Sequence, residues 1–234
     1  GSLHVKVLSY NLFWWHLFGV QKGNKGSAGQ VIKDSAAALP YDFMGFQECE
    51  DPVAVLGPAG LLEEYAAFQG AHAICLAYRK AAWSLLERGE QDVADDLPTK
   101  YYGTRGTQWM RLAHKKTNRT VFFVNHHGPL SVNSGGLCGG EATANNLLHL
   151  MGTKAQAGDV LILVGDFNAN GASTTIQSLW KHLVHVYNGD SFGGVDNIFS
   201  NVKKSQVLST TTLAHGGSDH NAISAVLQVG PGTS

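Results

Sequence analysis

The sequence predicts an α/β sandwich in layers, with sheets packed together and helices outside. Three observations predict it. Apolar β-rich runs recur along the chain, and stretches with helical spacing lie between them. Strands and helices alternate without a strict strand–helix–strand order, which suits packed sheets with helices on their outer faces. No proline-rich or charged linker and no internal repeat divides the chain, so residues 3–229 are expected to form one domain.

The elements follow in order. Val5–Tyr10 alternates and runs into Asn11. Ala28 to Leu39 fits a helix ended by Pro40. Tyr41–Phe46 is a strand leading into Gln47-Glu48. Trp109–His114 and Thr120–Asn125 flank a turn at Lys116-Thr117-Asn118 and read as a hairpin. Glu141 to Ala157 carries Leu147, Leu148 and Met151 at helix spacing. Val160–Val164 is apolar without alternation, which predicts a strand buried on both faces before Gly165-Asp166. Thr174 to Leu183 reads as another helix, and Ala222 to Val229 as a final strand.

Composition excludes several classes. The 234 residues carry 17 basic and 18 acidic side chains, a net charge of −1 and 44% hydrophobic content, which rules out disorder by charge. The 28 glycines show no three-residue period, so the chain is not collagen-like. No apolar run approaches the ~18–20 residues of a membrane-spanning helix. Only 15% of residues are charged, against ~25% in an average domain, which leaves little for a broad cationic nucleic-acid face. A local basic site remains compatible with a neutral protein.

Gly1-Ser2 reads as a cleavage scar and residues 230–234 as a tail. Of three cysteines, Cys75 lies in the apolar run Ala73–Ala77 and is expected as a buried free thiol. Cys49 and Cys138 both lie beside turns, and a bridge between them is the expected pairing. It would tie the glycine-rich loop Ser134–Gly140 to the Glu48 turn and imply an oxidising compartment. The sequon Asn118-Arg119-Thr120 is compatible with secretion. No Cys-x-x-Cys pair exists, which argues against structural zinc.

The polar residues fall at strand ends, where rigid strands hold functional loops. Gly165-Asp166-Phe167-Asn168 follows a buried strand, and its carboxylate and amide suit a water and a phosphate oxygen. The alternative is an Asx-turn. Ser218-Asp219-His220 sets an acid beside an imidazole, which can hold a tautomer or raise a pKa; the alternative is a polar loop. Glu48 ends a strand, and one or two carboxylates with phosphate oxygens and waters are how proteins hold Mg²⁺. His126 and His127 are neighbours on a strand and point to opposite faces, so one of them at most meets a reactive rim. Asp196 precedes an apolar pair, and Asn11 ends the first strand.

In this order, Asn11, Gln47-Glu48, Asn125/His127, Gly165-Asp166-Phe167-Asn168, Asp196 and Ser218-Asp219-His220 resemble the endonuclease/exonuclease/phosphatase superfamily, the DNase I-like enzymes. The resemblance runs from Val5 to about Val229. It implies a four-layered α/β sandwich of two packed, mostly antiparallel mixed sheets flanked by helices. It implies a metal site at Glu48 with Asn11 beside it, and catalytic roles for His127, Asp166, Asn168, Asp196, Asp219 and His220. Arg105 is a candidate for a substrate phosphate, with a plain surface charge as the alternative. Phe13–Phe18 can stack on bases, enter lipid or pack the core.

The implied function is a Mg²⁺-dependent phosphodiesterase (Mn²⁺ or Ca²⁺ as alternatives) using in-line water attack. The leading form is a secreted, monomeric DNase I-like nuclease acting on nucleic acid. The second is an inositol-phosphate or phospholipid phosphatase or phosphodiesterase of the sphingomyelinase type; a cytoplasmic location is the alternative to secretion. A third reading is an inactive binding protein with the same fold, against which the complete polar set argues.

Overall fold

The computed structural model describes residues 2–100 and 103–230. Gly1, Tyr101, Tyr102 and residues 231–234, on which parts of the expected scar and tail fall, lie outside them. The elements are β1 (Leu3–Asn11), α1 (Ser27–Ser35), β2 (Phe43–Gln47), α2 (Pro52–Leu56), β3 (Tyr65–Gln69), β4 (Ile74–Arg79), β5 (Trp83–Asp95), β6 (Thr104–His114), β7 (Thr120–His127), α3 (Gly140–Lys154), β8 (Val160–Asp166), α4 (Thr174–Trp180), β9 (Val184–Asn188), β10 (Asp196–Ser200), β11 (Val207–Thr212) and β12 (Ile223–Val229).

Two six-stranded sheets form, in the orders β11-β12-β1-β2-β4-β3 and β5-β6-β7-β8-β10-β9. Each has one parallel pair at its centre, β1/β2 and β7/β8, and antiparallel neighbours elsewhere. Side-chain alternation explains the layers. Val5 and Val7 of β1 face the interior between the sheets with Val121, Phe123, Ile162 and Val164. Leu8 and Tyr10 face outward, under Ile32 of α1 and Val55 and Leu56 of α2. Phe122, Val124 and Leu163 face outward on the other sheet, under Leu147, Leu150 and Met151 of α3 and Ile176 and Leu179 of α4. The expected four-layered sandwich is therefore the observed fold, and β8 is buried on both faces because each of its faces has a partner layer.

Some boundaries differ for identifiable reasons. α1 ends at Ser35, before Pro40. The Ser35 hydroxyl bonds back to the Val31 carbonyl at 2.7 Å, and the Lys6 ammonium takes the Ser35 and Leu39 carbonyls. These carbonyls are satisfied without further helix. α2 starts where Asp51 accepts the Val53 N–H at 2.9 Å with Pro52 at the first helical position.

The disulfide expectation is corrected. Cys49 bonds Cys75, not Cys138, with a Cα–Cα distance of 5.8 Å. The Cys49 N–H donates to the Ala73 carbonyl at 2.8 Å, which draws the turn after β2 onto the start of β4. Cys138 is exposed and free on the glycine-rich loop, whose Leu137 N–H is tied to the Asp95 carbonyl instead. The bridge spans 26 residues and is expected to contribute about 3–4 kcal/mol on the chain-entropy model. Cys49→Ala/Cys75→Ala should lower the urea midpoint accordingly, whereas Cys138→Ser should leave it unchanged. An equal loss from Cys138→Ser would contradict the pairing.

Candidate active site

The parallel pairs place the polar residues. Register sets Asn11 beside Gln47 across β1/β2 and His127 beside Asp166 across β7/β8. Asp196 lies beside Asp166 across β8/β10. Close approach fixes this register: a Cβ on Gly165 would stand 2.0 Å from the His126 carbonyl oxygen. One on Gly128 would stand 1.9 Å from that of Phe167. The central strand ends of both sheets thus open on one cleft of about 570 Å³, lined by Phe13, Trp15, Glu48, Arg105, His127, Asp166, Asn168, Phe192, Asp219 and His220 among others.

Asp166 sits at the centre of this group. One oxygen, Oδ1, accepts the Asn168 N–H at 2.9 Å, so the Asx-turn alternative is also present. The other, Oδ2, accepts from Asn11 Nδ2 at 2.9 Å and lies 3.4 Å from His127 Nε2 and 3.6 Å from His220 Nε2. Burial works against its ionisation, but the hydrogen bond from His127 and the field of His220 outweigh it, and its pKa falls well below the usual carboxylate range.

Asn11 Nδ2 also donates to Glu48 Oε2 at 2.7 Å, while Asn11 Oδ1 accepts the Phe13 N–H at 3.0 Å. Asn11 therefore presents its amide nitrogen to the two carboxylates in this arrangement. Ser218 Oγ donates to the Asn11 carbonyl at 2.6 Å and accepts the His220 N–H at 3.1 Å, which ties the loop before β12 to the end of β1.

His220 Nδ1 lies 2.7 Å from Asp196 Oδ2. Burial, the largest cause, raises the Asp196 pKa; once ionised the carboxylate only accepts, so Nδ1 then carries the proton and Nε2 is turned to the cleft. Burial favours neutral His220, but the bond to Asp196 and the fields of Asp166 and Asp219 win, and its pKa is raised. Asp219 is raised as well, first by burial. His127 and His126 point apart, as alternation requires. His127 faces the cleft, and its Nδ1 lies 3.3 Å from an Arg105 nitrogen; since guanidinium only donates, Nδ1 accepts. His126 is fully buried against Phe167 beside the Gly106 carbonyl, and burial pushes its pKa down to about 4.

Arg105 is not a loose surface charge. Asp96 holds its guanidinium through two bonds of 2.9 and 3.1 Å. Asn168 donates from Nδ2 to the Gly128 carbonyl at 2.8 Å and keeps its second N–H. Four lining residues, Phe13, Glu48, Asn168 and Phe192, have φ between 46° and 49°. Such left-handed backbone in side-chain-bearing residues is strained and clusters at functional sites.

The sequence reading did not single out Asp96, Gln47 as a bridging amide, Asn197 or Phe192. Gln47 Nε2 donates to Asn125 Oδ1 at 2.8 Å, and Asn125 Nδ2 donates to the Phe46 and Cys75 carbonyls, which joins the two sheets beneath the site. The signal available was an amide ending one buried strand opposite an amide in another.

Glu48, Asp166 and His220 each offer a ligand atom, all within 4.8 Å of one another. The donor set fits a hard divalent cation. Two carboxylate oxygens converge on a single amide nitrogen, with a third acid, Asp219, beside them. Fold and cleft together define a layered α/β protein with a carboxylate–histidine centre at the sheet ends.

Residues 20–220 match the endonuclease/exonuclease/phosphatase family, and the chain belongs to it. Among curated proteins, none matches the chain. A family protein from Bacteroides thetaiotaomicron is similar in structure, with TM-score 0.76 and 18% identity over 99% of this chain and 100% of that one. The mannosyl-6-phosphatase of Bacteroides thetaiotaomicron superposes with TM-score 0.69 at 19% identity, covering 97% and 100% of the two chains. Danio rerio TDP2 complexed with single strand DNA product does so with TM-score 0.68 at 15% identity, covering 95% and 98%.

Proposed function

We propose that this chain is a divalent-metal-dependent phosphodiesterase that hydrolyses its substrate by in-line attack of water. The observation that carries the reading is the convergence of Glu48, Asp166 and His220 at the base of an open cleft. Glu48 and Asp166 would hold the metal, Mg²⁺ by donor type, which when bound supplies positive charge for the phosphoryl oxygens. Asp166 orients the attacking water. His220 directs Nε2 at the phosphoryl group, held there by Asp196. Asn168 offers its second amide N–H to a phosphate oxygen. His127 lies across the same carboxylate and suits the leaving-group side.

Nucleic acid is the proposed substrate and a monomer the proposed state, with residues 3–229 as one catalytic domain. That a similar fold is seen with a single-stranded DNA product supports the substrate. Secretion is proposed on the Cys49–Cys75 bridge and the sequon.

The test is turnover of bis-p-nitrophenyl phosphate and of DNA, inositol phosphate and sphingomyelin substrates with Mg²⁺, Mn²⁺, Ca²⁺ or EDTA. Mg²⁺-supported cleavage abolished by EDTA is expected. Turnover unaffected by EDTA would end the metal reading. Intact DNA beside a turned-over lipid or inositol substrate would end the nuclease reading.

A further inference from the structure

Resting on the phosphodiesterase reading, we infer that the cleft grips one phosphate together with one flat base, Trp15 and Phe192 supplying the stacking surface. The substrate is thus a nucleobase-bearing phosphoester at the scale of a mononucleotide or a splayed single strand, not a duplex backbone.

Charge gives the first argument. Binding to duplex DNA rests chiefly on several Lys and Arg side chains that neutralise its phosphates. The lining of this cleft holds one such side chain, Arg105, and that guanidinium is already shared with Asp96. Acidic Glu48, Asp166 and Asp219 line the same wall and repel a polyanion wherever no cation intervenes.

The aromatic groups give the second. Trp15 is 63% exposed and Phe192 59% exposed, although both line a concave site. Each is held in place. Trp15 stands edge-on to Phe13 at 5.1 Å, and Phe13 in turn stacks on His16 at 5.1 Å. Trp15 opens the π-helical segment Trp15–Val20, anchored beneath by fully buried Leu17. Phe192 packs on His220 at 4.8 Å from a strained backbone with φ 49°. Exposed rings fixed beside a phosphate site forfeit apolar burial in the free protein and regain it by stacking on a base. A lipid-inserting loop would instead present a protruding wedge. Here the exposed rings come from two separate elements and border a cavity of about 570 Å³.

The experiment measures calorimetric affinities of adenosine monophosphate and ribose 5-phosphate for the intact protein in Mg²⁺. Vesicles of phosphatidylcholine and sphingomyelin are tested in parallel by co-sedimentation. Stacking is expected to make the nucleotide bind at least about 10-fold more tightly than the sugar phosphate. Trp15→Ala and Phe192→Ala should each shrink that ratio toward one, and Trp180→Ala, an exposed tryptophan outside this cleft, should not. Nucleotide binding no tighter than the sugar phosphate, including no binding of either, overturns the inference. So does vesicle binding that depends on Trp15 while the nucleotide shows no preference. Turnover of bis-p-nitrophenyl phosphate reports separately on the phosphodiesterase reading, so failure of the one is told from failure of the other.

Discussion

Asp166→Asn is expected to lower kcat by about 10³-fold or more and to lower stability near neutral pH as well. Both halves follow from the same geometry. The Oδ2 of Asp166 meets Asn11, His127 and His220 within 2.9, 3.4 and 3.6 Å, so on the proposed reading this one atom would also serve the metal and the water. Losing a group that positions both metal and nucleophile removes more than a single hydrogen-bond donor, which alone is worth about 10²–10³ in rate. The amide keeps an oxygen to cap the Asn168 N–H, so the Asx-turn survives. Its amide nitrogen then meets the Asn11 Nδ2 donor, and the ionised form that the folded site favours is lost. The measurement pairs single-turnover rates with thermal melts at rising Mg²⁺. Wild type should gain about 2.7 kcal/mol at a hundredfold excess over its dissociation constant, and the variant much less. An unchanged rate, or a variant that responds to Mg²⁺ as wild type does, would remove Asp166 from the metal site.

What was legible beforehand divides along physical lines. β2, β7 and β8 are central strands with a partner layer on each face, so their sequences are rich in apolar runs, while β1 beside them shows itself by alternation. The edge strands were hidden. β5 is the longest strand at 13 residues, yet only Trp83 and Val93 in it are buried, and Glu87, Arg88, Glu90 and Asp92 break any pattern. β3, β9 and β11 lie at edges or beside them and are equally mixed in composition. Edge strands bury one side only and resist aggregation by carrying charge, which erases the periodicity that would reveal them.

The site residues were legible because they sit immediately after those apolar runs, where chain order maps onto one sheet rim. Their pairings were not. Nothing in Asp95-Asp96 announces that Asp96 clamps Arg105, because the contact crosses the loop that leads into β6. The disulfide failed for a similar reason. Cys75 looked like core because it is core, fully buried in β4. That β4 lies directly beside β2, bringing Cys75 under the Cys49 turn, is a fact of sheet order rather than of local sequence.

The second large effect concerns Asp196 and His220, which are expected to behave as one unit. Asp196→Asn and His220→Ala should each cost about 10²–10⁴ in kcat, and the double variant no more than the worse single one. The Asp196 carboxylate fixes the Nδ1 proton of His220 at 2.7 Å and so leaves Nε2 facing the cleft. An amide in its place can present either a donor or an acceptor, and the tautomer is no longer enforced. Once His220 is gone Asp196 has nothing to orient, so its further removal costs little. The same pair has a stability signature with a definite sign. The pKa of His220 is raised in the folded protein. Its contribution is therefore full below the ordinary histidine value and is lost as pH rises through the raised one. The stability gap between wild type and Asp196→Asn should accordingly narrow toward alkaline pH in urea titrations without metal. Additive kinetic losses in the double variant, or a gap that widens with pH, would show that Asp196 acts apart from His220.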